Sequence, residues 1–505
     1  MNTLTARLAA VAGERPHHPA LVCGEERRTY RELWENSARW AAVLGAHAVE
    51  PGTRVGYLGR DSAFLVELFY ACARTGAVFL PIGSRFTTPE VEHLLDDSGA
   101  TVLFVQRDFA ESAEALTTSA TVLIAEEATG AGDGAGAPAA AAGAGDPVVQ
   151  FYTSGTTGVP KGVVLAHRSF FAVAEALAAA GEDWVDFLPG DTTLVGVPCW
   201  HVGGLWWVVQ ALNAGATVVV MPALSAAGVL ALVPRHGVTT MCAPPALLSL
   251  ILDEPGRRPE ALRTLRKIVY GAAPISQTLL RRCIEEIGCA LAQIYGLTET
   301  GNTAVCLPPA EHYPGNPLLH AAGRPYPGFE VKIVDRSGTA LPRGAAGEVC
   351  LRTPARMVEY WGRPEATAET LRDGWIHTGD VGHLDEAGYV HLRDRVKNMI
   401  IRAGENVYPA EVENALHRSP AVADAAVIGI PDDRWGEAVL ACVVPAPGHR
   451  VSARELRLFL RELLADYKIP TRFVAVEAIP RNGVGKILHR ELRAPYWEGR
   501  ERQLN

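Results

Sequence analysis

The segment Tyr152-Thr-Ser-Gly-Thr-Thr-Gly-Val-Pro-Lys-Gly162 places two glycines and five hydroxyl-bearing residues before Lys161, with Gly162 directly after it. Glycines let the backbone approach a ligand closely and turn its N–H groups inward. Hydroxyls add donors for phosphate oxygens, and a lysine adds a compact positive charge. The segment is therefore a candidate phosphate-binding loop, with Thr153, Ser154, Gly155, Thr156, Thr157, Gly158 and Lys161 as candidate contacts. It is not the usual P-loop, because Pro160 precedes the lysine and GxxxxGK[ST] does not fit. Composition alone suits a flexible hairpin turn equally well, so the surrounding chain has to decide.

Residues 147–152, just before the loop, are apolar and β-rich, a strand candidate. Further back, residues 128–146 are mostly Ala and Gly and read as a mobile surface loop. Before that, short β-rich runs at 53–58, 76–80 and 101–105 alternate with helical patterns at 30–44 and 62–74. Similar alternation continues to about Tyr295, which predicts βαβ units and a mostly parallel sheet. From 323 to 392 the texture changes to short β-rich runs (330–334, 347–351, 389–392) broken by Gly, Pro and Asp, a small β-rich subdomain. Beyond Met399, strand-like 425–429 and 440–444 alternate with helical 410–418 and 453–464, a small α+β lid. The expected architecture is α/β. Residues 1–394 form a large domain of layered, mostly parallel sheets with helices, 395–398 a hinge, and 399–505 a mobile C-terminal lid.

The bulk properties set outer limits. The 505 residues are 48% hydrophobic and 20% charged, ordinary for a soluble globular protein. Fifty-six acidic against 47 basic residues give a net charge of -9, which argues against a nucleic-acid partner. The nine cysteines are scattered, odd in number and without a CxxC pair, so a reduced cytoplasm is expected. The first twenty residues lack the apolar core of a signal peptide. No run approaches the roughly 18–20 apolar residues needed to span a bilayer.

Four further motifs follow the loop: Tyr295-Gly-Leu-Thr-Glu-Thr300, Thr378-Gly-Asp380, Arg393-Asp-Arg-Val-Lys397 and Pro480-Arg-Asn-Gly-Val-Gly-Lys486. Together, in this order, the five resemble the signatures of the adenylate-forming superfamily, which includes acyl-CoA synthetases, peptide-synthetase adenylation domains and luciferases. The resemblance runs from about Tyr30 to Leu492. It implies activation of an acid by ATP and Mg²⁺ to an acyl-AMP. The carboxylate attacks the α-phosphorus, pyrophosphate leaves, and no protein nucleophile is required. The resemblance also implies the roles. Tyr295 and Gly296 would meet adenine, with Gly271, Ala272 and Ala273 as the opposite wall. Thr298 would donate to the α-phosphate, and Glu299 would hold Mg²⁺ together with Thr156. Asp380 would accept the ribose hydroxyls, and Arg395 would hold ribose or phosphate oxygens. Lys486 would be the catalytic cation at the carboxylate and bridging oxygen, and Lys397 the hinge. Taken singly, Glu299, Asp380 and Arg395 would be ordinary surface charges.

Two lid segments favour coenzyme A (CoA) as the acceptor. Gly404-Glu-Asn-Val-Tyr-Pro409 resembles the segment that acyl-CoA synthetases lay along the pantetheine, although Arg402-Ala403 depart from the commoner Ser-Gly. Asp433-Arg-Trp-Gly-Glu437 resembles a CoA-packing segment, making Gly404, Arg434, Trp435, Tyr467 and Lys468 candidate CoA contacts. The expected activity is acid:CoA ligation, with AMP and pyrophosphate released. Transfer to an amine, a carrier-protein thiol or another nucleophile stays open, as does activation of an inorganic acid anion. A binding module without catalysis fits poorly, since Lys486, Glu299 and Asp380 are all present. Cys199-Trp-His-Val-Gly-Gly-Leu-Trp-Trp207 falls where relatives line the acyl pocket, so Trp200, His201 and Trp206 are pocket candidates, with Gly301 and Asn302 bordering the acid. Trp206 and Trp207 lie about 100° apart on a helix, so one of them belongs to the core. Fatty, aryl and dicarboxylic acids remain open, as do monomer and homodimer.

Overall fold

The computed structural model describes residues 3–128, 142–153, 160–273, 275–395, 398–402, 405–432, 436–482 and 485–498. The chain is α/β, built on four sheets. The first has seven strands, in the order Glu359–Tyr360, Lys161–Ala166, Pro147–Thr153, Val78–Gly83, Arg54–Gly59, Val102–Val105 and Thr121–Ile124. Arg54–Gly59 pairs in parallel with both of its neighbours, and the Pro147 and Lys161 strands form an antiparallel hairpin. The second sheet has nine strands. Its centre (Ala290–Tyr295, Lys267–Tyr270, Thr240–Ala243, Thr192–Val195, Thr217–Val220, Pro19–Cys23) is entirely parallel. Strands such as Thr217–Val220 and Lys267–Tyr270 are buried at every position, as parallel strands covered on both faces must be.

The helices between these strands carry local start and stop signals. Tyr30–Ala46 opens on a capping box between Thr29 and Glu32, and it buries Tyr30, Leu33, Ser37, Ala41 and Leu44, one stripe at three- and four-residue spacing. Ala63–Thr75 starts at the Ser62 cap and stops at Gly76, whose φ is +75°. That stop delays the next strand to Val78, two residues later than the sequence suggests. Val202–Ala214 is mostly apolar and lies in the main core with Trp206 and Trp207 at 1% and 2% exposure.

The third sheet is small and antiparallel: Glu330–Val334, Gly347–Arg352, Trp375–Leu384 and Leu371–Arg372, with Val390–Arg395 farther along the same edge of the Trp375 strand as Leu371–Arg372. The fourth is dominated by the long hairpin Val422–Asp432 and Gly436–Pro445. It runs past Gly429 through Pro431, a residue that ordinarily ends a ladder. A hydrophobic cluster over this sheet, including Ile400, Val412, Leu416, Val427, Val439 and Leu460, draws only on residues from 400 onward. Among the described residues no helix is long and apolar enough to cross a membrane.

Candidate active site

The ends of the glycine-threonine segment are held in register, since Thr153 and Lys161 are partners across the hairpin. Ser154, Gly155, Thr156, Thr157 and Gly158 lie outside the described residues, as do Lys397, Gly404, Arg434 and Trp435. Most of the Ala/Gly stretch before the hairpin lies outside them as well. Lys161 Nζ stands 4.9 Å from the centroid of the Tyr360 ring. The Tyr360 hydroxyl donates to Glu299 Oε1 at 2.6 Å. Tyr360 reaches this point because Glu359–Tyr360 adds an edge strand beside Val163 and Val164. Sequence reasoning missed it, although an aromatic pair (Tyr360-Trp361) after a β-rich run was the available signal.

Glu299 and Thr298 stand on a short 3-10 turn at the end of the strand Ala290–Tyr295. The turn is tied by Thr300 Oγ1, which accepts from Leu297 N and donates to Leu297 O, both at 2.8 Å. Gly296 is required here, because a Cβ on it would lie 2.5 Å from the Asn302 carbonyl oxygen. Parallel pairing of Lys267–Tyr270 with Ala290–Tyr295 sets Gly271, Ala272 and Ala273 beside the Tyr295 turn. These are carboxyl ends of parallel strands, where open α/β sheets bind ligands. Glu299 suits a hard cation: it is a carboxylate oriented through Oε1, and among the described residues no hydrogen bond falls on Oε2. A magnesium ion held there would neutralise phosphate charge.

Asp380 lies 85 residues from Tyr295, yet its Oδ2 accepts the Tyr295 hydroxyl at 2.7 Å. It sits on an irregularity in which Cys350 pairs with His377 while Glu348 pairs with Val381, so Thr378, Gly379 and Asp380 bulge from the sheet. Thr378 Oγ1 donates to Val349 O at 2.7 Å, and Gly379 N donates to Glu348 Oε1 at 3.0 Å. Glu348 thus positions the bulge, a role the sequence did not suggest. Arg395 is the backbone partner of Asp380 across the next strand pair.

The Cys199-Trp200-His201 segment leads into helix Val202–Ala214. Cys199 N donates to both carboxylate oxygens of Asp61 at 3.1 Å. Burial pushes Asp61 up to about 7, against the pull of that N–H. Asp61 was also missed; its signal was an acid closing an apolar strand directly before the Ser62 helix cap. Burial pushes His201 down to about 4, so the imidazole is neutral at neutral pH. His201 Nε2 and Asn302 Nδ2 are buried and find no partner among the described residues. Both belong near the first turn of that helix, because a Cβ on Gly203 would lie 3.5 Å from Asn302 Oδ1. Trp200 packs on His201 with ring centroids 3.7 Å apart. Gly301 backs onto Ala355. Trp207 donates to Thr193 Oγ1 at 2.8 Å, while Trp206 is buried with its indole N–H unpartnered among the described residues.

A cavity of about 420 Å³ opens beside this segment, lined by Arg60, Asp61, Arg85, Trp200, Leu250 and Gly485 among others. Gly485 brings the Lys486 turn to its rim. The turn is closed by Asn482, whose Oδ1 accepts Lys486 N at 2.9 Å and whose N–H donates to Lys486 O at 2.9 Å. Arg481 braces it through two 2.9 Å bonds to Asp424. Gly485 has φ +80°, and a Cβ on it would lie 2.8 Å from Ala246 Cβ, so the turn rests on helix Pro245–Asp253. In the C-terminal region Tyr467 is 37% exposed, and Lys468 Nζ is bound by Glu411 at 2.6 and 2.9 Å.

The chain is similar to known proteins over nearly its whole length. A sequence model described as "AMP-binding enzyme" matches residues 8–361, and one described as "AMP-binding enzyme C-terminal domain" matches 411–486. The chain is 50% identical over 511 residues to a fatty acid–[acyl-carrier-protein] ligase, ScoC, of Streptomyces coeruleorubidus, covering 100% of this chain and 98% of that one. It is 39% identical over 480 residues to a feruloyl-CoA synthase of an Amycolatopsis species, covering 95% and 96%. The solved structure of O-succinylbenzoate coenzyme A synthetase (MenE) from Bacillus subtilis, in complex with ATP and magnesium ion, aligns with TM-score 0.85 at 32% identity, covering 96% and 98%. With the matched family spanning both the sheets that carry Tyr295, Glu299 and Lys161 and the region that carries Lys486, the chain belongs to the AMP-binding enzymes, the adenylate-forming ligases that activate an acid with ATP.

Proposed function

We propose that this enzyme converts a fatty or aryl carboxylic acid to its acyl-AMP and passes the acyl group to the thiol of a phosphopantetheine arm carried on a carrier protein. The observation that carries the adenylation step is the seating of the Lys486 turn on Ala246, at the rim of the cavity that Trp200 lines. A fixed cation there meets the charge that develops as the carboxylate attacks the α-phosphorus. Glu299, oriented by Tyr360, would hold magnesium, with Lys161 nearby on the other side of the same ring. Asp380 would take the ribose hydroxyls. The neutral His201 and Asn302 offer buried polar groups to the acid.

A carrier-borne thiol is favoured by the 50% identity to a carrier-protein ligase over the full chain. The Lys468–Glu411 pair points the same way, since it already neutralises a cation expected to meet the CoA nucleotide. Free CoA is the second reading, favoured by the feruloyl-CoA synthase and by the lid segments that resemble CoA contacts. The test supplies ATP, Mg²⁺ and a panel of acids to the purified protein, with CoA, with a phosphopantetheinylated carrier protein, or with neither. Pyrophosphate should appear with the acid alone, and mass spectrometry should find the acyl group on the carrier. A thioester on CoA but never on the carrier selects the second reading. No pyrophosphate and no AMP with any acid removes both. Lys486→Ala should lower acid-dependent pyrophosphate exchange by about 10²–10³-fold while sparing thioester formation from supplied acyl-AMP; equal loss of both half-reactions would contradict its role.

A further inference from the structure

Behind the Thr378–Asp380 bulge, two side chains of different ligating chemistry converge on one ring nitrogen of a third. His377 Nδ1 lies 2.9 Å from Glu348 Oε2 and 3.5 Å from Cys350 Sγ. Cys350 and His377 are direct partners across an antiparallel pair, and Glu348 stands two residues before Cys350 on the same strand. The three ligand atoms all lie within 4.8 Å of one another. No nucleophile–base relay is built here, because the thiol and the carboxylate meet the same ring nitrogen and Cys350 is 0% exposed. A simple His–Glu ion pair accounts for the carboxylate but leaves the thiol unexplained.

We propose that Glu348, Cys350 and His377 form a binding site for a thiophilic divalent cation of the zinc type, distinct from the magnesium position at Glu299. With metal–sulfur bonds of about 2.3 Å and metal–nitrogen bonds of about 2.0–2.1 Å, the nitrogen–sulfur edge of a tetrahedron is roughly 3.5 Å, the spacing already present. The carboxylate edge needs only about half an ångström of lengthening on the same bond lengths. His377 and Glu348 side chains are 11% and 27% exposed, so a solvent molecule can reach the fourth position. Cys350 would bind the metal as its thiolate. The metal must therefore displace the thiol proton to solvent, and affinity rises with pH. Glu348 also holds Gly379 N, so occupation pulls on the bulge that presents Asp380 and raises the apparent KM for ATP.

Chelator-treated full-length protein titrated with Co²⁺ tests the site directly. One equivalent should produce a thiolate-to-cobalt charge-transfer band together with tetrahedral d–d bands. Cys350→Ser should abolish the charge-transfer band and weaken binding by about a hundredfold, whereas Cys289→Ser, a half-buried thiol elsewhere, should keep both. A band that survives in Cys350→Ser overturns the site. Thermal unfolding without metal checks that each variant folds, and His377→Gln serves as the second variant. Zn²⁺ added in the presence of excess Mg²⁺ should raise the KM for ATP in the parent protein and not in Cys350→Ser; equal rises in both would break the coupling to Asp380.

Discussion

Tyr360 joins two charges that the chain delivers from separate places, with its hydroxyl on Glu299 and its ring under Lys161. A hydrogen bond to a charged group contributes about 1.5–3 kcal/mol. Tyr360→Phe should therefore raise the Mg²⁺ concentration for half-maximal pyrophosphate exchange about tenfold or more, while keeping the ring that faces Lys161. An unchanged magnesium titration would show that Glu299 needs no such restraint. Asp61 works through stability. Its carboxyl is pushed from 3.8 up to about 7 by burial. Between those values the native state keeps a proton that the unfolded chain has released, so the stability contributed by this group falls as pH rises through that window and levels off above it. Three units correspond to at most about 4 kcal/mol. Asp61→Asn should flatten this slope, read as melting temperature against pH from 4 to 8. His167, His201 and His312, each held near 4 by burial, add an opposing rise in both proteins, so the reading is the difference between parent and variant; a difference that is the same at pH 5 and 7.5 would refute the buried proton.

At the scale of elements, the Lys486 turn meets helix Pro245–Asp253 through one close contact. Gly485→Ala imposes a left-handed non-glycine residue, costing about 1–2 kcal/mol, and drives a methyl group into Ala246. Pyrophosphate exchange should drop about tenfold, and the second substitution Ala246→Gly should recover part of it. Gly256→Ala, with φ +76° and open space around it, is the control for backbone strain alone. Failure of Ala246→Gly to rescue would mean that the turn does not seat on this helix. The contrast between what the sequence announces and what it hides is clear at this scale. The alternating strands and helices, the β-rich stretch and the two C-terminal strands, though not their pairing as one long hairpin, were legible because burial on one or two faces imprints a short period on the chain. The chemical motifs were legible because each packs its residues within a single turn. Tyr360, Asp61 and Glu348 were not, since each acts on a partner 61, 138 or 31 residues away, and no local spacing encodes that separation. Trp206 shows the opposite difficulty: a tryptophan beside a pocket motif looks functional, yet it stands at 1% exposure in the main core, on a mostly apolar helix.

At the scale of the whole molecule, the proposed reaction needs Lys486 at the acid in the first step and a thiol there in the second. Rotation about Lys397 would exchange them. Lys397→Pro should leave acid-dependent pyrophosphate exchange within about twofold of the parent and reduce thioester formation at least tenfold, since a proline locks the φ that a hinge must change. Full turnover in that variant would exclude the rotation. Helix Pro409–Leu416 packs against strand Val390–Arg395, so the last third-sheet strand and the C-terminal region meet along a seam. The apolar side chains clustered from Ile400 to Ile469 come from that stretch alone. Turning such a body leaves that oil covered, and parts only the small apolar group of Val381, Met399 and Tyr408 that bridges the seam. Each catalytic cycle then works against the adhesion of the seam, and a substitution that glues or greases that seam should alter tempo far more than melting behaviour.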